Sequence, residues 1–403
     1  MFLRCYADNY RCLSNFTLPL KPLSVLLGAN GSGKSTVLAL FAKIRDFILG
    51  RGSSLELFPP ETRTRWDKRI EQTFELGLRL DQGEYTYRLR IRHEAPERAL
   101  NKVIEERLTL DGKPLFAADD KKTTLYNDSH EGKAELLTDW HISGISRVHE
   151  RPDNVKLTAF RRGIEGTLVL ALNPALVSAV SAERQSVTMP RPDCSDFAGW
   201  LRHISAAEAL ARQAAEQSLA KGALPGFRAF QAPDSGDAKI LQCIFQSGTS
   251  KPLIFRLDEL SFGQIALVIL ETALAVATER HGVLLLDEPG NFLGLGEVQP
   301  LLTRLQDAAL EGRFQVIMTA HHPLAVDFLA ASYGSWLERE PSGPTRVQPI
   351  RVAESVGEDK AGVRVSDLIA RGWLSGLGVQ HRGTSSDVDA EDSTHLSNVE
   401  PRQ

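Results

Sequence analysis

The sequence predicts an α/β fold in which a mostly parallel core sheet is joined by an antiparallel β lobe and a helical insertion. First, a short apolar run at 23–27 precedes a glycine-rich loop and then a helix-periodic segment at 35–48. Second, residues 70–116 alternate apolar and polar side chains around two hairpin turn signals. Third, strands and helices alternate again from about Leu241, which is typical of a parallel sheet.

The composition limits the class of protein. The chain has 403 residues and a formal net charge of −4, which acidic residues near the C-terminus account for. Any nucleic-acid surface must therefore be a local patch. Because there is neither a long uninterrupted apolar run nor a signal-peptide layout, no membrane contact is expected. Four cysteines without a C-x-x-C pair fit a reduced, cytoplasmic protein.

The loop between the first buried strand and the first helix predicts a nucleotide site. Residues 28–36 (GANGSGKST) fit the pattern G-x-x-x-x-G-K-[ST]. Glycines let backbone N–H groups surround phosphates at the positive end of a helix. Lys34 is expected to reach the β- and γ-phosphates of ATP, and the Ser35 hydroxyl to hold Mg²⁺. The predicted ATP-binding residues of this loop are Asn30, Gly31, Ser32, Gly33, Lys34, Ser35 and Thr36.

An apolar run ending in two carboxylates predicts the second half of the site. Val283 to Leu286 has the composition of a buried parallel strand, and Asp287 and Glu288 follow it directly. Ligand chemistry belongs at the carboxyl end of such a strand. We therefore expect Asp287 to hold Mg²⁺, and Glu288 to polarise a water for attack on the γ-phosphate.

Two further segments extend the predicted site. Ser261, Gly263 and Gln264 precede a helix predicted from about 265 to 278, so they form a second candidate anion site. A buried strand at 314–319 leads into His321 and His322. A histidine at a strand end can bond to a phosphate oxygen or a water, and His321 is the candidate for this role.

These motifs, in this order, resemble those of the ABC-type ATPases, whose nucleotide-binding head is a P-loop NTPase fold. The branch that contains SMC, RecF and OLD proteins is more similar still. The opening segment 9–13 (NYRCL) and the β lobe after the first helix are typical of that branch. The resemblance covers roughly residues 1–116 and 225–335, and it leaves 117–224 unexplained.

The resemblance implies a mechanism in which two heads dock head to tail around two nucleotides. Ser261, Gly263 and Gln264 would then act on the nucleotide of the partner copy. Glu288 is similar to the family's catalytic glutamate and His321 to its switch histidine, and Arg11 is expected to touch the nucleotide. The loop 290–293 would cross the dimer interface. The family's usual glutamine-loop residue is not assigned, and Gln72 is one candidate.

The resemblance also implies a division of the chain. We predict an N-terminal ATPase lobe at 1–116, an insertion at 117–224 that is mixed and then helical, and a C-terminal ATPase lobe at 225–378. Residues 379–403 are Ser-, Asp- and Glu-rich, which predicts a disordered acidic tail.

Several functions remain open among ABC-type ATPases. The long separation of Lys34 from Ser261 and the lack of a membrane domain disfavour a transporter subunit. No segment is long enough for the coiled-coil arm of SMC proteins, and an OLD nuclease would need an added nuclease domain. The first hypothesis is an ATP-gated homodimer or higher oligomer that controls an effector encoded nearby in an anti-phage defence module. The second is a RecF-like DNA repair or maintenance ATPase, and the third is a scaffold with a slow ATP site.

Two basic segments are the candidate DNA contacts for the second hypothesis. Arg88, Arg90 and Arg92 alternate along one predicted strand, and further basic residues lie between 147 and 162. Both segments could contact phosphates, although a solvated protein face has the same pattern.

Overall fold

The computed structural model describes residues 1–94, 100–119, 122–136, 139–182, 187–246, 248, 251–350 and 364–370. The predicted acidic tail at 379–403 lies outside these residues. The strands are β1 (Phe2–Asp8), β2 (Phe16–Pro19), β3 (Leu23–Leu27), β4 (Glu71–Leu80), β5 (Gly83–His93), β6 (Asn101–Leu110), β7 (Lys113–Asp119), β8 (Thr123–Tyr126), β9 (Gly132–Leu136), β10 (Thr167–Leu170), β11 (Val180–Ala182), β12 (Phe227–Gln231), β13 (Asp234–Ser235), β14 (Ala238–Ile240), β15 (Gln242–Phe245), β16 (Leu253–Arg256), β17 (Val283–Leu286), β18 (Gln315–Thr319), β19 (Gly334–Arg339) and β20 (Thr345–Pro349). The α-helices are α1 (Lys34–Ile48), α2 (Ser54–Leu57), α3 (Val155–Glu165), α4 (Phe197–Ala207), α5 (Ala209–Ser218), α6 (Phe262–Glu279), α7 (Leu295–Leu310), α8 (Pro323–Tyr333) and α9 (Val365–Ala370).

The core sheet has six strands in the order β10-β17-β18-β3-β19-β20. All neighbours from β10 to β19 are parallel, and only the β19–β20 pair is antiparallel. Strand β18 lies between β3, which precedes the glycine-rich loop, and β17, which precedes the two carboxylates. The prediction of an α/β fold with a mostly parallel core sheet is therefore confirmed.

Alternation along these strands produces two hydrophobic cores, one on each face of the core sheet. Leu26, Leu285 and Ile317 face α1 and the antiparallel sheet. Their neighbours Val25, Leu286 and other strand residues pack instead against α6, α7 and α8. Since β3, β17 and β18 are buried on both faces, they appear in the sequence as continuous apolar runs rather than alternating ones.

The predicted antiparallel lobe is an eight-stranded sheet, in the order β2-β1-β4-β5-β6-β7-β8-β9. The hairpins β4–β5 and β6–β7 turn where the sequence predicts, at 81–83 and 111–112. The sheet also takes in β1 and β2 from the N-terminus and β8 and β9 beyond residue 116. Pairing between β1 and β4 joins segments that are far apart in sequence, so hairpin signals alone do not reveal it.

Residues 117–224 contribute to more than one part of the molecule. Strands β8 and β9 extend the antiparallel sheet, whereas β10 forms an edge of the core sheet. The alanine-rich pattern of residues 196–221 predicts one helix, but the structure has two, α4 and α5. Glu208 leaves the helical conformation between them, with φ −136° and ψ 57°. The Glu208 carboxylate forms an ion pair with Arg280, beyond the end of α6. The proposed division at 116 and 224 remains a prediction.

Helix α6 forms the centre of the helical layer. Among the described residues it alone is long and apolar enough to cross a membrane, but 61% of this 18-residue helix is buried inside the molecule. Ser261 caps this helix, since its hydroxyl accepts from the Gln264 N–H at 3.3 Å and the Gln264 side chain accepts from the Ser261 N–H at 3.0 Å. This capping box starts α6 at Phe262, three residues before the start at about 265 predicted from sequence, so Gly263 and Gln264 lie in its first turn.

A buried carboxylate holds the antiparallel sheet against the turn that precedes α3. Glu106 accepts hydrogen bonds from the hydroxyl of Tyr87 at 3.1 Å, the hydroxyl of Ser143 at 2.5 Å and the N–H of Gly144 at 2.7 Å. Burial nevertheless dominates and raises the pKa of Glu106 from 4.5 to about 7. The protonated form is therefore favoured in the folded state.

We expect Glu106→Gln to weaken the pH dependence of stability between about pH 4.5 and about pH 7. In the wild-type protein the folded pKa lies above the unfolded one, so stability is full below about 4.5 and is lost as the pH rises towards 7. The difference amounts to roughly 3 kcal/mol at most. Thermal unfolding across this range measures it, with the exposed Glu84→Gln as control. Identical pH profiles for wild type and Glu106→Gln would contradict the expectation.

Candidate nucleotide site

The glycine-rich loop closes tightly around the start of α1. Gly28 and Gly33 have backbone φ angles of 149° and 105°, values that residues with a side chain rarely adopt. A Cβ on Gly28 would lie 2.2 Å from the Leu337 carbonyl oxygen, and one on Gly33 would lie 2.9 Å from the Cys12 sulfur. The loop therefore needs glycine at both positions, for conformation and for space.

Lys34 is buried beneath the loop that precedes it. Its ammonium group donates to the carbonyl oxygens of Gly28 at 2.8 Å and Ala29 at 3.0 Å. Burial lowers the pKa of Lys34, and the charges of Glu288 and Asp287 oppose this effect. The two carboxylates thus lie close enough to the Lys34 ammonium to favour its charged form, as expected for parts of one site.

One hydroxyl group contacts both Asp287 and Glu288 at the end of β17, through the carboxylate of the first and the backbone N–H of the second. Thr319, the last residue of β18, donates from its hydroxyl to Asp287 Oδ1 at 2.6 Å. The Thr319 hydroxyl oxygen also accepts a hydrogen bond from the backbone N–H of Glu288, at 3.0 Å. Sequence reasoning missed Thr319. The available signal was its position at the end of a predicted strand, two residues before His321.

Glu288 and His321 contact each other. The backbone N–H of His321 donates to Glu288 Oε2 at 3.0 Å, and the imidazole Nε2 lies 3.4 Å from Oε1. Burial raises the pKa of Glu288, and the electrostatic interaction with His321 and the hydrogen bond from the His321 N–H partly oppose this rise. A carboxylate whose pKa is raised in this way is a better proton acceptor near neutral pH than an exposed one. His322, by contrast, caps α8 by accepting the Leu324 N–H at 3.2 Å.

The loop and the strand ends open into one cleft of about 770 Å³, a size typical of ligand sites. The predicted residues on its lining are Arg11, Asn30, Gly31, Gly33, Lys34, Ser35, Thr36, Glu288 and His321. Ser32, which is buried, and Asp287, which is half-buried, are not on this lining. The Ser32 carbonyl accepts from the Thr345 hydroxyl at 2.8 Å, which ties the loop to β20.

The cleft lining also contains residues for which the sequence predicts no contact with the nucleotide held by the same chain. They are Glu61, Arg63, Arg65, Trp66, Asn291 and Arg339. Most come from the polar segment between α2 and β4, which has no periodic pattern. Together with Lys34 and Arg11, the arginines give the cleft an excess of positive charge that suits a polyphosphate.

Gln72 does not line the cleft. Its side-chain amide donates to the Asn9 carbonyl at 2.9 Å, and its carbonyl oxygen pairs with the ring of His93 at 2.9 Å. All three residues are buried. Gln72 therefore holds the N-terminal strands together, and the glutamine-loop residue remains unassigned.

The segment Ser261 to Gln264 lies at the exposed N-terminus of α6 and is not part of the cleft lining. A Cβ on Gly263 would lie 2.9 Å from the carbonyl oxygen of Phe292, so the segment touches the loop 290–293. Phe262, Phe292 and Leu295 are exposed beside it. We call these three residues the apolar patch.

The arginine stripe on β5 is neutralised by carboxylates on the neighbouring strands. Arg88 lies 3.3 Å from Glu75, and Arg90 and Arg92 lie 2.6 Å and 2.9 Å from Glu71. In the second basic segment, Arg162 pairs with Glu150 at 2.8 Å. The solvated-face interpretation therefore fits the stripe better than a DNA-contacting one.

The donor set suits Mg²⁺ bound together with a nucleotide. No group of three or more His, Cys, Asp or Glu side chains in the described part of the chain could hold a metal alone. Mg²⁺ is commonly bound by one or two protein oxygens plus phosphate oxygens and waters. The Ser35 hydroxyl and the Asp287 carboxylate would supply the protein oxygens.

Comparison with solved structures shows the same fold. The chain matches the crystal structure of the SmcHead bound to the C-winged helix domain of ScpA with a TM-score of 0.54 and 12% identity, covering 88% of this chain and 98% of that one. It matches the Smc head domain with an extended coiled coil bound to the C-terminal domain of ScpA, derived from Pyrococcus furiosus, with a TM-score of 0.51 and 11% identity, covering 87% and 96%.

One curated relative shares local sequence. Over 50 residues the chain is 42% identical to the OLD nuclease of Thermus scotoductus (strain ATCC 700910 / SA-01), a stretch that covers 12% of this chain and 9% of that protein. The match thus spans less than a tenth of the length of that relative. Fold, site and local identity together define an ABC-type ATPase of the SMC- and OLD-like kind.

A family model narrows the identification. The model described as "AAA domain, putative AbiEii toxin, Type IV TA system" matches residues 23–327, well over half of the chain. The chain belongs to this family.

We expect Lys34→Ala to abolish binding of ATP. The variant removes the only ammonium group on the cleft lining of the described chain, and its charge is needed opposite the phosphates. Isothermal titration with ATP and Mg²⁺ measures the loss. Lys21→Ala, which changes a lysine whose ammonium contacts the Ser332 carbonyl away from the cleft, is the control. Wild-type affinity in Lys34→Ala would refute the assignment of the loop.

Proposed function

We propose that this protein is an ATP-hydrolysing switch, in which two copies dock head to tail around two nucleotides and nucleotide turnover controls a partner effector. The observation that carries the proposal is the division of the site. Lys34, Glu288 and His321 share one cleft, whereas Ser261 and Gly263 lie on a separate exposed surface of the same chain. A second copy would bring that surface to the open side of the cleft.

The apolar patch supports docking of a second copy. Phe262 is the first residue of α6, the Phe292 carbonyl lies against Gly263, Leu295 begins α7, and all three side chains are exposed. At the N-terminus of α6, N–H groups and the helix dipole favour an anion. Exposed large apolar side chains next to such a polar centre are typical of interaction surfaces. In the docked pair, Ser261 and Gly263 would face the γ-phosphate that Lys34 of the other copy holds.

The chemistry assigned to each copy is hydrolysis of the γ-phosphate. Glu288 would accept a proton from a water molecule as the water oxygen bonds to the γ-phosphorus. The bond from phosphorus to the bridging β-phosphate oxygen would break, giving ADP and phosphate. Mg²⁺, held by Ser35 and Asp287, would neutralise charge on the phosphates. His321 contacts Glu288 and would sense the γ-phosphate.

The proposed biological role is anti-phage defence within the bacterial cytoplasm. The family description names a putative toxin of a toxin–antitoxin system, the local relative is a nuclease, and the similar Smc heads were solved bound to ScpA. These descriptions favour a nuclease or other toxic protein, encoded nearby, as the effector. A RecF-like ATPase that binds DNA directly is the alternative, and the carboxylate pairing of the arginine stripe weighs against it.

We expect Glu288→Gln to bind ATP, to lose turnover and to accumulate as a dimer. The amide cannot accept the proton, while the contacts that hold nucleotide remain. Phosphate release measures turnover, and light scattering after size-exclusion chromatography measures the dimer with and without ATP. Adding Ser261→Arg to Glu288→Gln should return the protein to monomers that still bind ATP.

Unchanged turnover in Glu288→Gln would remove this residue from the proton-accepting role. Loss of turnover without ATP-dependent dimers would contradict the head-to-tail arrangement. If hydrolysis is dispensable for the biological function of the intact system, the third hypothesis, a scaffold with a structural nucleotide, is favoured.

Purification together with the products of neighbouring genes should yield an effector whose co-elution depends on ATP. DNA binding by the protein purified without its neighbours, measured at increasing salt concentrations, separates the two leading hypotheses. Salt-sensitive DNA binding by the isolated protein, lost on replacing Arg147 and Arg151 with glutamate, would favour the repair ATPase instead.

A further inference from the structure

An exposed tryptophan lines the cleft that contains the phosphate-binding loop. Trp66 is 41% exposed and lines the same cavity as Lys34 and Ser35. Exposing a large aromatic ring to water forfeits the stabilisation that burial would give. Its position in a positively charged cleft suggests that a ligand covers it.

Arg339 covers one side of the Trp66 indole. The guanidinium carbon lies 5.3 Å from the ring centroid, within the range of a cation–π contact. The guanidinium is itself fixed, because it donates to the carbonyl oxygens of Gly343 at 3.1 Å and Gly31 at 3.3 Å. Gly31 belongs to the phosphate-binding loop, so this chain of contacts sets the position of the indole relative to the loop.

The backbone that carries Trp66 is also anchored. The N–H of Thr64 donates to the Asn9 side chain at 3.1 Å, and the N–H of Asp67 donates back to the Thr64 carbonyl at 3.1 Å. The Asp67 carboxylate accepts from Arg69 at 2.9 Å. Because both the turn and the indole are held in place, ligand binding costs little conformational entropy in this segment.

We propose that Trp66 is the base-stacking residue of this site, and that the exposed part of its indole receives the base of the nucleotide whose phosphates lie on the loop. This inference rests on the proposed function. Stacking recognises the flat face of an aromatic base and is tolerant of which base it is. Trp66 therefore selects nucleoside triphosphates over other polyphosphates, without distinguishing ATP from GTP.

The test compares ATP with inorganic tripolyphosphate, which carries the phosphates without a base. Titration calorimetry with Mg²⁺ should show Trp66→Ala binding ATP and GTP about tenfold more weakly or worse, while its affinity for tripolyphosphate stays at the wild-type value. Trp66→Phe, which keeps an aromatic face, should recover most of the affinity for ATP.

Trp140→Ala is the matched control. Trp140 is also exposed and also lies under a cation, since the Lys102 ammonium is 5.1 Å from its ring centroid, but it lies outside the cleft. Its replacement should leave the affinities for ATP and tripolyphosphate unchanged. Equal weakening by the two alanine variants would overturn the stacking role, because the loss would not be specific to the cleft.

The remaining outcomes separate the inference from the function on which it rests. If Trp66→Ala binds ATP normally while Lys34→Ala does not bind it, the stacking role is refuted and the nucleotide site stands. If Trp66→Ala weakens ATP and tripolyphosphate equally, Trp66 acts on the phosphates and the inference also fails. If neither Lys34→Ala nor Trp66→Ala changes binding, the proposed nucleotide site itself is wrong.

Discussion

The hydroxyl group of Thr319 is the contact on which the arrangement of the site depends. It donates to the Asp287 carboxylate and accepts from the backbone N–H of Glu288. The last residue of β18 thus fixes one carboxylate directly and fixes the backbone that carries the other. This is possible because β17 and β18 are parallel neighbours that finish at the same edge of the sheet. With β18 between β17 and β3, Thr319 and His321 fall between the carboxylates and the phosphate-binding loop.

The sequence predicts much of this arrangement because its determinants are local. A buried strand, a glycine loop and an amphipathic helix are contiguous at 23–48, and the carboxylates directly follow a continuous apolar run. A continuous apolar run indicates a strand that is buried on both faces, and apolar residues at helical spacing indicate the buried face of a helix. The convergence of these segments then follows from the rule that parallel strands present their carboxyl ends together. The site roles assigned to Lys34, Glu288 and His321 remain predictions.

The parts that could not be predicted depend on contacts between distant segments. Trp66 and Arg339 are far apart in the chain, and the polar segment that holds Trp66 has no periodicity. Glu208 interrupts a run that is otherwise helical, in a conformation stabilised by an ion pair with Arg280 that helix propensity does not anticipate. The pairing of β1 with β4 likewise depends on long-range register. In each case tertiary structure decides what the local sequence leaves open.

The backbone of Glu288 has one further consequence. Its φ of 52° is left-handed, a conformation that favours glycine and asparagine over glutamate. The fold therefore keeps glutamate there at some cost in stability, which the hydrogen bond from the His321 N–H partly offsets. Under the proposed mechanism, proton transfer is the reason why glutamate is kept. A descendant that had abandoned hydrolysis would gain stability by drifting to glycine or asparagine. Under the proposed mechanism, the residue at this position in a homologous gene is expected to show whether selection has preserved turnover.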